Sequence, residues 1–138
     1  MNTELPARIS NYIGGNLDLP LSGRFLPKYN PATGKPINEL PDSDESDVNR
    51  AVEAATKALP EWKNMPAEKR FRILNRIADL IEENLEMLAL TETNDNGKPL
   101  WLSRQVEIPR ASANFRFFAS AALQFSSESH SMEELAIN

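Results

Sequence analysis

A β-ribbon followed by about four amphipathic helices is the arrangement that the sequence predicts, and three observations carry it. Turn chemistry is concentrated in the first third of the chain, at Gly14-Gly15 and at Asn30-Pro31-Ala32-Thr33-Gly34. From Asp44 onward, apolar residues recur at spacings of three and four. Proline or glycine punctuates the same stretch at Pro66, Gly97, Pro99 and Pro109. Positions three and four apart share one face of a helix, so the recurrence marks half-buried helices and the punctuation marks their ends.

Residues 1–10 are expected to be a flexible N-terminus. Asn11 to Asn16 then reads as a strand running into the Gly-Gly turn. Arg24 to Tyr29 forms a second extended segment leading to the Asn30–Gly34 turn, where proline fixes φ and glycine permits a positive one. Lys35 to Leu40 alternates weakly and pairs back as the other arm of a hairpin. A two-stranded ribbon is marginal alone, so this one must pack on helices or on another stretch of chain.

Asp44 caps the first helix, with Asp47 three residues on, where the positive helix end favours acids. Val48, Ala51, Val52, Ala55, Ala58, Leu59 and Trp62 form its predicted core stripe. Pro66 opens a second helix that buries Phe71, Leu74, Ile77, Ala78 and Ile81. Asn84 ends it and caps a short third helix through Leu88 and Thr91, which Gly97 and Pro99 close. The fourth helix is expected to start near Glu107 or Ile108, with Pro109 in its first turn. Its buried residues should be Ala111, Phe115, Phe118, Ala119 and Ala122. Residues 11–125 thus make one folded unit, followed by a polar tail at 126–138. Such a unit leaves Phe71, Trp101, Phe117 and Leu123 in need of cover, which predicts association through exposed apolar faces.

Composition narrows the chemistry. The net charge of −5 and the dispersal of the 15 Lys and Arg argue against a nucleic-acid partner. No apolar run approaches the roughly 20 residues of a membrane span, and MNTELPARIS lacks the basic start and apolar centre of a signal peptide. A cytoplasmic location is the resulting expectation. Cysteine is absent, which removes disulfides, thiolate metal sites and a thiol nucleophile. The five glycines, at 14, 15, 23, 34 and 97, form no G-x-G-x-x-G turn. No catalytic and no cofactor-binding residue is therefore assigned.

The remaining polar features have plain structural readings. His130 lies in a Ser/Glu-rich tail without a partner motif and reads as a solvated bystander. Glu82-Glu83 and Glu133-Glu134 are neighbours along the chain, so they point apart on a helix and read as solvated surface. In Glu92-Thr93-Asn94-Asp95-Asn96-Gly97-Lys98-Pro99, spacing gives a helix stop with Gly97 left-handed and Asp95 bonding local amides. Spacing likewise makes residues 108–119 an amphipathic helix with two exposed arginines, Arg110 and Arg116.

The order of these pieces carries more than any one of them. Asn30-Pro31-Ala32-Thr33-Gly34, Asp47-Val48-x-x-Ala51-Val52-x-Ala54-Ala55, Trp62, Pro66-x-x-x-Arg70-x-x-Ile73-Leu74 and Glu92-Thr93-x-Asp95-x-Gly97-Lys98-Pro99 follow one another. Together they resemble the N-terminal portion of the aldehyde dehydrogenase superfamily. Ile108-Pro109-Arg110-x-x-x-Asn114-Phe115-Arg116-Phe117-Phe118-Ala119 further resembles the subgroup that oxidises 2-aminomuconic and 2-hydroxymuconic semialdehydes.

The resemblance implies an α/β fold, of which this chain covers only the N-terminal hairpin and about four helices. It also implies NAD(P)-dependent oxidation of a small-molecule aldehyde: a Cys forms a thiohemiacetal, hydride passes to nicotinamide, and a Glu-activated water releases the acid. The Cys, the Glu and the cofactor turn of the family are expected further along than these residues. NAD(P) is accordingly a cofactor of the complete fold, and none is expected on this chain alone. Two site assignments transfer by resemblance. Arg110 takes the substrate-tunnel helix position, where a guanidinium can clamp a carboxylate. Asp95, with the backbone carbonyls of Lys28 and Tyr29, takes a monovalent-cation position. Two readings stay open here: a truncated dehydrogenase, or a stand-alone helical module that docks on a full-length subunit or another protein.

Overall fold

The computed structural model describes residues 6–126. The expectations for residues 1–5, for the tail at 127–138, for His130 and for Glu133-Glu134 lie outside the described residues.

Two antiparallel ribbons open the chain. β1 (Asn11–Ile13) pairs with β2 (Asn16–Asp18) around Gly14 and Gly15, whose φ values of 59° and 87° are those of a tight hairpin turn. β3 (Phe25–Tyr29) pairs with β4 (Pro36–Pro41) across the Asn30–Gly34 turn, Phe25 opposite Pro41 and Lys28 opposite Asn38. Asn30 closes that turn with its side chain, which accepts from the Ala32 amide at 2.9 Å. The expectation of a loose N-terminus needs correction at residues 7–9. There the Ile9 amide donates to the Glu39 carbonyl at 2.9 Å and the Glu39 amide to the Ala7 carbonyl at 3.0 Å, so this stretch lies alongside β4.

Helix α1 (Glu45–Asn64) begins with a capping box in which Asp44 accepts from the Ser46 amide and Asp47 reaches back to the cap. Asp47 is 2% exposed and also accepts from the Leu21 amide at 3.1 Å, tying the loop after β2 to the helix start. α2 (Ala67–Glu83) follows Pro66, and α3 (Leu85–Asn96) ends at Gly97, left-handed at φ 76°. A Cβ at Gly97 would lie 2.9 Å from Cγ of Pro31, so the end of α3 needs glycine both for its φ and for close approach to the ribbon turn.

The predicted start of the fourth helix is corrected. The chain is already helical at α4 (Leu100–Leu102), passes through a π-helical turn at Ser103–Glu107 and continues as α5 (Ile108–Leu123). Pro109 therefore sits within a continuous helical run. In a regular α-helix its ring would crowd the carbonyl four residues back. The wide turn lies where that crowding would fall, and it closes with the Ile108 amide donating to the Ser103 carbonyl.

The best-buried positions hold small residues: Ala78, Ser112 and Ala119 where α2 meets α5, and Ala89 of α3 and Ser103 of the π-turn, each at 0–1% exposure. Small side chains let helix axes approach closely. Two predicted core sets are corrected by this arrangement. In α1, Val48, Val52 and Leu59 are more than half exposed and Trp62 is 39% exposed. In α5, Phe118 is 64% exposed, Ala122 is exposed, and Ser112 takes an inward position instead of Phe115. Helical spacing reports which face is apolar, whereas burial needs a covering surface. Of the ordered elements, α1 meets chiefly β1. Trp101, Phe117 and Leu123 are exposed as expected.

Candidate functional site

Arg110 lies in the first turn of α5, directly after Pro109, and is exposed. At 3.6 residues per turn, Ser112, Arg116 and Ala119 fall on the opposite side of the helix, facing α2. Asn114, Phe117 and Phe118 share the outer side with Arg110. Phe117 and Phe118 meet edge to face with ring centroids 5.2 Å apart. Leu74, Asn114, Phe115 and Phe118 line a shallow cavity of about 210 Å³ between α2 and α5. A cationic head at the end of an aromatic stripe can hold a molecule that is anionic at one end and apolar along its length.

The register of that stripe is set from the inner face. Arg116 donates to Asn75 Oδ1 at 3.0 Å, Asp79 Oδ1 at 2.8 Å and Glu82 Oε2 at 2.8 Å, three α2 residues one turn apart. The buried Ser112 hydroxyl reaches Glu82 Oε1 at 2.5 Å and the Ala78 carbonyl at 3.3 Å. The Arg116 guanidinium, and after it the Ser112 hydroxyl, hold the Glu82 carboxyl below the usual range. Glu82 and Glu83 are exposed, as the solvated-surface reading expects, and each also takes a partner: Glu82 joins α2 to α5 through Arg116, and Glu83 pairs with Arg76 at 2.6 Å. The available signal was the coincidence of a Glu and an Arg on the inward sides of two neighbouring helices. Farther along, the π-turn is anchored to α3 by the Ser103 and Thr93 hydroxyls at 3.1 Å and by Arg104 with Glu86 at 2.7 Å.

The second assignment gathers where α3 meets the ribbon. Lys28 of β3 extends its ammonium onto the Asp95 carboxylate at the end of α3. A register irregularity falls between Lys28 and Tyr29. Asn96 closes the helix end, accepting from the Lys98 amide at 3.0 Å, while Glu92 holds the Lys98 ammonium at 2.9 Å and raises its pKa. The Asp95 carboxylate is thus already met by a side-chain ammonium. Among the described residues no group of three or more His, Cys, Asp or Glu is placed to hold a metal.

The positive-φ glycines serve hairpin turns, a loop and the end of α3, and none opens a helix toward a phosphate. No described helix is long and apolar enough to cross a membrane.

Residues 20–137 match the model of the aldehyde dehydrogenase family. This chain belongs to that family. Among curated relatives of this aldehyde dehydrogenase segment, the 2-aminomuconic semialdehyde dehydrogenase of Bos taurus is 43% identical over 127 residues, covering 92% of this chain and 26% of that protein. An acetaldehyde dehydrogenase of Pseudomonas aeruginosa is also 43% identical, over 112 residues, or 81% of this chain and 22% of that protein. A solved NAD+ complex of an aldehyde dehydrogenase from Bacillus cereus matches with a TM-score of 0.88 at 29% identity, covering 94% of this chain and 27% of that one. The chain thus spans about a quarter of the length of the relatives it matches. Its ribbons and helices are the corresponding part of the aldehyde dehydrogenase fold.

Proposed function

We propose that this chain is the N-terminal part of an NAD(P)-dependent aldehyde dehydrogenase that oxidises a muconic semialdehyde to the carboxylate, and that it is catalytically incomplete alone. One observation carries the reading: a single match takes in 92% of this chain but only 26% of the relative, and the matched residues contain no cysteine. Thiol attack on an aldehyde requires that residue.

Within the complete enzyme, the role of this segment is to bind and orient. Arg110 meets the substrate carboxylate through a charge-assisted fork of hydrogen bonds, while the exposed Phe117 and Phe118 offer apolar surface to the rest of the chain. The name of the bovine relative supports a carboxylate-bearing substrate, and the acetaldehyde dehydrogenase supports the aldehyde class alone. NAD(P) would supply the hydride acceptor in the remainder of the fold, which the NAD+ complex of the Bacillus cereus relative supports.

The test has two steps. The purified 138-residue chain should form no NADH from any aldehyde. The same reading frame extended downstream should encode a glycine-rich turn and a cysteine, and should be active. Turnover by the purified chain, or a clean stop in an intact transcript, would overturn the reading. A stop would instead favour a non-catalytic module that docks on a dehydrogenase subunit or another protein through the exposed stripe of α1, Val48, Val52 and Leu59.

A further inference from the structure

The resemblance gives Asp95 and the carbonyls of Lys28 and Tyr29 to a free monovalent ion, yet the structure places a side-chain ammonium on the carboxylate. The Lys28 side chain is 16% exposed and that of Asp95 48% exposed, so the lysine stem is packed away and its ammonium meets the carboxylate at the surface. A second positive charge at the same carboxylate would repel it.

The ribbon supports the same placement. Lys28 lies directly opposite Asn38, and residues opposed across an antiparallel ladder send their side chains to the same face. Asn38 is 6% exposed, and among the described residues neither atom of its amide has a hydrogen-bond partner. The Lys28 ammonium is thus given to Asp95 and not to the neutral amide beside its stem.

We infer that Lys28 is a tethered cation: its ammonium fills the position that the family resemblance gives to a free monovalent ion, and it holds the end of α3 to β3 without sodium or potassium. The inference is independent of which aldehyde the complete enzyme oxidises.

The local readout is hydrogen exchange of the Gly97 amide, which donates to the Thr93 carbonyl at 2.9 Å beside Asp95. It is compared in sodium, potassium and choline chloride at one ionic strength, together with 23Na line widths. In the unmodified chain, exchange should be the same in all three salts and the sodium line should stay narrow. In Lys28→Met, exchange should rise roughly three- to tenfold in choline, return toward the original rate in sodium or potassium, and be accompanied by a broadened sodium line. Slower exchange of the unmodified chain in sodium or potassium than in choline would overturn the inference. So would a Lys28→Met chain that exchanges like the original in choline, or sodium broadening that survives Asp95→Asn in the Lys28→Met background. Lys28→Arg, which keeps the charge, should remain insensitive to the salt used.

Discussion

Arg116 and Glu82 bind α5 to α2 through two guanidinium–carboxylate hydrogen bonds, at 2.8 and 3.3 Å, across the interface that contains the buried Ala78, Ser112 and Ala119. Because Asp79 and Asn75 share the same guanidinium, one side chain fixes both the rotation and the axial slide of the helix that bears Arg110. Arg116→Met should therefore lower the melting temperature clearly. Arg104→Ala, which breaks a more exposed pair with Glu86, should change it little. Equal shifts in thermal scans of the two variants would contradict the assignment.

The same pair predicts a dependence on acid. Arg116 and Ser112 hold the Glu82 carboxyl below its ordinary range in the folded chain. A depressed folded-state pKa gives stability that is complete above the unfolded value, roughly 4.3, and is lost as pH falls through the folded one. Helix content followed by circular dichroism between pH 6 and pH 2 should fall on the acid side of that value. Glu82→Gln should be less stable at pH 6 and should show a smaller acid-dependent loss. An unchanged acid profile in the variant would remove Glu82 from the account.

Local chemistry was legible in the sequence, and distant partnership was not. Asp44 with Asp47, the Asn30–Gly34 turn and Gly97 could be read because caps and turns are decided by residues within a few positions of one another. The Arg116–Glu82 bridge spans 34 positions, and Lys28 meets Asp95 from another element, so neither leaves a mark in spacing. Pro109 misled the reading of the fourth helix because a π-turn admits proline where a regular helix would not. The outer residues of α1 and Phe118 were misassigned because an apolar face is a property of the sequence, whereas its cover belongs to whatever packs on it. Arg110 came from the resemblance, and the structure places it exposed on α5, opposite the inward-facing Ser112 and Arg116.

Gly97 tests the junction of α3 with the ribbon. An added Cβ would press on Pro31 at 2.9 Å and approach the Ala32 amide nitrogen at 3.4 Å, in a backbone conformation that L-residues rarely adopt. Gly97→Ala should cost about 1 to 3 kcal/mol in urea denaturation. A cost below a few tenths would show that the helix end relaxes away from the turn.

The uncovered faces make a prediction for the chain alone. Val48, Val52, Leu59, Phe117 and Phe118 are each more than half exposed. Every large apolar side chain left in water forgoes roughly 1.5 to 3 kcal/mol of the stabilisation that burial would give. The isolated chain should be helix-rich, should bind a hydrophobic dye strongly and should self-associate with rising concentration. A chain that stays monomeric at high concentration and binds no dye would contradict this.

The account turns on Arg110, exposed at the start of α5 and opposite the inward-facing Arg116. The most direct measurement is KM in the complete enzyme carrying this segment, with a muconic semialdehyde and a neutral aldehyde of similar length compared for the unmodified protein and Arg110→Ala. A charge-assisted fork of hydrogen bonds contributes about 1.5 to 3 kcal/mol, so KM for the carboxylate-bearing substrate should rise roughly 10- to 100-fold while that for the neutral one hardly changes. Equal losses for both substrates would make Arg110 structural and would contradict the assignment of a muconic semialdehyde.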